Sequence, residues 1–255
     1  MLKKAKDQLI LKLACLAGKI VLENGGEVYR VEDVVCRVGA FYGLKIECFA
    51  TLTCIIASST NGDGEISSLV QRITSRGTNL NKVSILNNIV RNLDKYSFDS
   101  LQEELTKLYN DKTSSFMRSF IGYSLGAGSF VFLFKGSFRD FIPAFITGAL
   151  MAISDKITSS LEINSFFGNL VGSAIASFVA YSFFHFKLVA DPSISIISSL
   201  MILVPGLAFI NAIRDIIAGD LVAGVSRSME VIMTGVALAV GAGITLKILI
   251  GLGGI

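Results

Sequence analysis

The chain has 255 residues, 52% of them hydrophobic and only 17% charged, whereas about a quarter of an ordinary soluble domain is charged. A modest net charge of +3, with no run of five like charges, argues against a nucleic-acid partner. The apolar excess is uneven: residues 1–112 are charge-rich and residues 113–255 hold nearly all the long apolar runs. The composition therefore predicts a soluble α+β domain over 1–112 and a membrane α-helical domain over 113–255.

The opening MLKK followed by apolar residues imitates a signal peptide. Lys12 and Lys19 interrupt its core and no small-residue cleavage site follows, so the first domain is expected to stay in the cytoplasm. Leu9, Leu13, Leu16 and Ile20 recur at helical spacing and predict a first helix ending near Asn24-Gly25-Gly26. Val28, Val31, Val35, Val38 and Tyr42 predict a second, stopping at Gly43. From Ile46 to Ile56 the period becomes two, which predicts a half-buried strand or two short ones. Asn61-Gly62-Asp63-Gly64 reads as a turn, with a further strand over Glu65 to Ile73. Leu86, Ile89, Val90 and Leu93 predict a third helix capped by Asn79, and a fourth begins at Asp99 and uses Leu101, Leu105 and Leu108.

Nothing in this half announces an enzyme. GxSxG, P-loop and GxGxxG motifs are absent. Cys15, Cys36, Cys48 and Cys54 lack CxxC spacing, and the one histidine, His185, lies far away, so no metal and no cofactor are expected. The thiols read as buried and reduced. Glu27, Arg30, Glu32 and Asp33 read first as a solvated helix face with internal ion pairs; the weaker readings are acid–base work by the paired carboxylates and, for Glu27, Arg30 and Asp33, contact with or gating of the membrane half.

Five apolar segments follow: about Phe116–Phe134, Phe141–Ile157, Phe166–Phe186, Ser193–Ala218 and Leu221–Ile250. About five transmembrane helices are predicted, the fourth broken at Pro205-Gly206, because proline removes a backbone donor and clashes with the preceding turn. Small residues four apart (Gly122/Gly126, Gly168/Gly172, Ala176/Ala180) suit close helix packing. With the N-terminus inside, five spans place the C-terminus outside, and the odd count suggests a partner subunit or a homo-oligomer.

After the break the chain carries Arg214, Asp215, Asp220, Arg227 and Glu230. A charge within an apolar span costs about 2.5–3.5 kcal/mol on insertion scales, so such charges usually mark a functional path. A broken helix followed by paired charges is how transporters build midplane sites. Gly206, Asn211, Arg214 and Arg227 are the candidate substrate-binding residues, the arginines gripping a carboxylate. Asp215, Asp220 and Glu230 are the candidate proton-coupling groups. The competing reading is a cytoplasmic turn with surface ion pairs, which contribute little.

Two stretches resemble the threonine/serine exporter (ThrE) family: ENGGEVYRVEDVVCRVGAFYGL, residues 23–44, and PGLAFINAIRDIIAGDLVAGVSRSMEV, residues 205–231. The resemblance implies a proton-driven exporter of threonine, serine or a succinate-like dicarboxylate in the cell's inner membrane. The family's long form has about ten spans, and this chain resembles the larger, YjjP-like subunit of its split form. A small all-membrane second subunit, YjjB-like, would then be the partner. Two other classes stay open: a membrane-anchored enzyme with a hydrolase-like soluble domain, for which no nucleophile–base pair is visible, and a non-transporting scaffold subunit.

Overall fold

The computed structural model describes residues 2–60, 64–111 and 115–253, so Asn61, Gly62 and Asp63 of the expected turn lie outside the described residues. Two compact units form. One comprises Met1–Lys112 with Gly206–Met229, the other Thr113–Pro205 with Glu230–Ile255.

In the first unit α1 (Leu2–Glu23) is the central element, touching α2 (Val28–Phe41), α3 (Leu80–Arg91), α4 (Phe98–Asn110) and two strands. That surround explains why Ile10, Leu11, Ala14, Cys15, Ala17, Ile20, Val21 and Leu22 are all buried, more than one apolar stripe, while Leu9 is left half exposed. At the crossing with α2 a Cβ on Gly18 would lie 2.6 Å from the Val35 side chain, so the helices approach as closely as glycine allows. The alternating run is two strands, β1 (Ile46–Ala50) and β2 (Cys54–Thr60), followed by β3 (Ile66–Arg72) in an antiparallel meander of order β1-β2-β3. Ile46, Ala50, Ile55 and Ala57 turn inward onto the helices. Phe49, Ile56 and Val70, in register across the strands, stay exposed on the other face. Asn79 caps α3 by accepting from Lys82 N, and Ser97 caps α4. Cys15 is buried and the other three thiols are half-buried and free.

The second unit is built from α5 (Phe116–Leu133), α6 (Phe138–Ser160), α7 (Ser165–His185), α8 (Pro192–Leu200) and the later part of α10 (Leu221–Gly253). Gly148 lies against the Tyr123 backbone and Gly128 against the Phe141 ring, bringing α5 and α6 together. Gly126 and Gly172, two of the small residues singled out from the sequence, meet Ile202 and Leu203. A capping box of Ser137 and Asp140 opens α6, and Ser195 Oγ on α8 donates to the Asp140 carbonyl at 3.1 Å. α5, α6 and α7 end alike: Lys135, Glu162 and Lys187 take left-handed φ of 60°, 53° and 57°, and the next amide reaches back to close the last turn.

Among the described residues four helices are long and apolar enough to cross a membrane: Phe116–Leu133, Phe138–Ser160, Ser165–His185 and Leu221–Gly251. The fourth of the five predicted segments forms two separate helices, α8 with 9 residues and α9 (Gly206–Ala218) with 13, joined by turns at 201–205. α9 belongs to the first unit and α8 to the second.

Candidate functional site

The site is a corner of the first unit. α1 runs out at Glu23, and Gly25 turns the chain with φ +89°, a conformation that disfavours any side chain. Gly26 N then donates to Val21 O at 2.9 Å, closing the turn. Glu27, extended at φ −72° and ψ 148°, is the N-cap of α2, yet its side chain caps nothing. The start of α2 therefore needs an acceptor from elsewhere.

α9 supplies it. Asn211, Arg214 and Asp215 stand three and four residues apart on one helical face. Asp215 Oδ1 accepts from Val28 N at 2.9 Å across 187 residues of sequence. Asn211 Nδ2 donates to Gly25 O at 2.9 Å, and Arg214 Nη1 donates to Glu27 Oε1 at 2.7 Å. From the first turns of α10, Arg227 Nη2 donates to Gly26 O at 3.2 Å while its Nε stands 3.6 Å from Asp215 Oδ2. Arg30 on α2 holds the other Glu27 oxygen at 3.3 Å. Gly219, at φ +99°, ends α9 and lets Asp220 N bond Asp215 O at 2.9 Å. Where α10 crosses α9, a Cβ on Gly224 would sit 2.9 Å from Ala212 O, so glycine permits the approach.

Burial makes these contacts consequential. Asp215 is 0% exposed, Asn211 1%, Glu27 5% and Arg227 6%. A buried ion pair is costly to break on one side, because the remaining charge is left uncompensated. Burial pushes the Asp215 carboxyl above its ordinary range and the nearby Asp220 charge adds to this, against the Val28 amide and the Arg227 charge. Burial likewise raises Asp220. For Glu32, burial and the Asp220 charge outweigh its bond from Ala50 N. Glu27 goes the other way: burial acts to raise it, but its own backbone amide, Arg214 and Arg30 together hold it below the usual range.

Of the residues singled out from the sequence, Asn211, Arg214, Asp215 and Arg227 converge on this corner, and Asp220 adjoins it half-buried. Gly206 is the exposed first residue of α9, with nothing within 4 Å of an added Cβ. Glu230 is exposed on α10 in the second unit. The sequence allowed Glu27 and Arg30 a contact with the later half but paired neither with a particular residue there, and it left out the Gly25 and Gly26 carbonyls. The available signal was a helix start after Gly-Gly with no Ser, Thr, Asp or Asn at its cap. Among the described residues no group of three or more His, Cys, Asp or Glu could hold a metal ion.

Helices of membrane-crossing length and composition, joined to a charged helical corner, make this a multi-pass membrane protein. The ThrE family model, described as "Putative threonine/serine exporter", matches residues 12–249, and the chain belongs to that family. It is 26% identical to the threonine/serine exporter of Corynebacterium glutamicum over 250 residues, which are 93% of this chain and 51% of that protein. It is 20% identical over 228 residues, 88% of each chain, to the "Probable succinate transporter subunit YjjP" of Klebsiella aerogenes. The chain thus spans about half the length of the first relative and most of the second. No solved structure matches it.

Proposed function

We propose that the chain is one subunit of a proton-coupled secondary exporter of small carboxylate-bearing metabolites, threonine and serine or a succinate-like dicarboxylate, in the inner membrane. The observation that carries this reading is the coverage: the chain matches about half of a one-chain exporter and nearly all of a relative named as a transporter subunit. A small all-membrane second subunit, YjjB-like, then supplies the rest of the path.

The make-up of the first unit supports a topology. Because Met1–Lys112 and Gly206–Met229 pack as one compact body, both lie on one side of the membrane, taken as the cytoplasm. The chain between them must cross an even number of times: through α5, α6, α7 and a fourth time through Pro192–Pro205. α8 contacts all three of those helices, and non-helical backbone at membrane depth is tolerated where protein covers it. The fourth crossing is then the broken one, and α10 makes the fifth.

Within the corner, Asp215 is the leading carrier of the coupling proton, with Asp220 as a relay; Glu230 is a further proton-coupling candidate outside the corner. A proton on Asp215 neutralises the counter-ion of Arg227 and loosens the hold of the corner on α10. Asn211 and Arg227 bind backbone carbonyls, so Arg214, with its side chain 54% exposed, is the best placed to meet a substrate carboxylate.

The test uses everted vesicles carrying this chain and its partner, with an imposed pH gradient and labelled serine, threonine or succinate. Asp215→Asn keeps an oxygen for Val28 N but cannot cycle a proton, so gradient-driven flux should fall at least tenfold with downhill exchange retained. Normal coupling in Asp215→Asn, Asp220→Asn and Glu230→Gln alike sinks the proposal.

A further inference from the structure

The Glu27 carboxylate is buried and carries a guanidinium on each oxygen, Arg214 at 2.7 Å on Oε1 and Arg30 at 3.3 Å on Oε2. Two positive charges on one negative leave the trio at +1. Neither arginine is buried with it: their side chains keep 54% and 44% of their exposure. Arg214 reaches Glu27 through Nη1, while Arg30 uses Nε, which also faces the Tyr29 hydroxyl at 3.4 Å. Asp33, whose charge also acts on Arg30, is bound by Arg37 at 2.8 Å. A guanidinium offers five donors in a rigid fork. Each arginine meets Glu27 through one nitrogen, which leaves the other donors of the fork for a ligand, and two of them can bind a carboxylate by two prongs.

We propose that Arg214 and Arg30, oriented by Glu27, form a carboxylate-recognition site in which Arg30 determines specificity. Arg214 takes the carboxylate that every candidate substrate has. Arg30 takes the second carboxylate of a dicarboxylate. Two guanidinium forks suit a dianion, which brings a carboxylate to each, whereas a zwitterionic amino acid brings only one. Glu27 is the positioning residue, contributed by the corner between α1 and α2. This deepens the exporter reading and rests on it for the substrate class.

The purified full chain in detergent is assayed by equilibrium binding of labelled succinate and of labelled L-serine. Wild type should bind succinate the more tightly. Arg30→Gln should weaken succinate roughly tenfold or more and leave serine within about twofold, whereas Arg214→Gln should weaken both roughly tenfold. Arg30→Lys, which keeps charge but loses the fork, should fall between. Exchanging the pair, Glu27→Arg with Arg214→Glu, rebuilds the ion pair, so a purely structural joint would recover wild-type binding and a substrate site would not. Wild-type succinate affinity in Arg30→Gln and Arg214→Gln, or no succinate binding by wild type, overturns the site. Flux in partner-containing vesicles separates the two ideas. Binding with these dependencies but no flux removes the exporter and keeps the site; flux indifferent to Arg30 does the reverse.

Discussion

Glu27 and Asp215 share one corner but answer pH with opposite sign. Glu27 is held below its ordinary value of 4.5 because its backbone amide and two arginines outweigh burial. Its stabilisation is complete above that value and is lost as pH falls through the lower folded value. Asp215 is raised above 3.8 by burial, so its contribution is present below that value and is lost as pH rises through the higher one. In thermal unfolding of the detergent-solubilised chain, the stability gap between wild type and Glu27→Gln should shrink as pH is lowered below about 4.5. The gap between wild type and Asp215→Asn should move against wild type as pH rises. Two gaps moving the same way would refute this account of the corner. The sequence showed both charged stretches but not that they meet. Periodicity reports that a helix has a polar face, not which element 187 residues away covers it. Glu27 therefore read first as solvated, with contact to the later half as the weaker alternative, and Arg214-Asp215 read first as a path, with a cytoplasmic turn as the competing reading.

At the scale of elements, the soluble helices and strands were legible because each has its own period and cap: Asn79 before α3, and Ile46 to Ile56 alternating along β1 and β2. The stripe read on α1 was too narrow because periodicity assumes one covered face, and α1 is covered by helices and sheet together. The break at Pro205-Gly206 was legible from the proline, but 193–218 was read as one broken span because hydropathy does not distinguish a helix packed in a bundle from one docked on a soluble corner. The ends of α5 and α7 were read within a residue or two, but the shared left-handed turn that closes α5, α6 and α7 was hidden, since the residues that adopt it are not glycines. Lys135, Glu162 and Lys187 hold the left-handed conformation that costs a residue with a Cβ about 1–2 kcal/mol. Glycine at each position removes that penalty, less some gain in unfolded-state entropy. Lys135→Gly, Glu162→Gly and Lys187→Gly should each raise stability by about 1 kcal/mol, read as a higher melting temperature in detergent. A lower melting temperature for all three would mean that other contacts of these side chains outweigh the backbone penalty.

For the whole molecule, the length of α10 fixes how much of it the bilayer takes. Its 33 residues extend about 50 Å at 1.5 Å each, against a hydrocarbon core of about 30 Å. The residues through Met229 belong to the first unit, with Arg227 buried there, and the apolar run from Val231 onward is long enough to cross by itself. Ser226 should therefore lie in water on the same side as the sheet domain, and the segment after α7 on the opposite side, reached by three crossings. Single cysteines in a background lacking the four native thiols test this with a membrane-impermeant maleimide. Ser75→Cys and Ser226→Cys should label only in everted vesicles. Leu188→Cys, exposed just beyond α7, should label only in intact cells or right-side-out vesicles, and Val240→Cys, within the proposed span, in neither. Ser226 and Leu188 labelling from one face would refute the fourth crossing through Pro192–Pro205 and with it the five-crossing path. Ser75 labelling from outside would invert the orientation while leaving the corner and its chemistry intact.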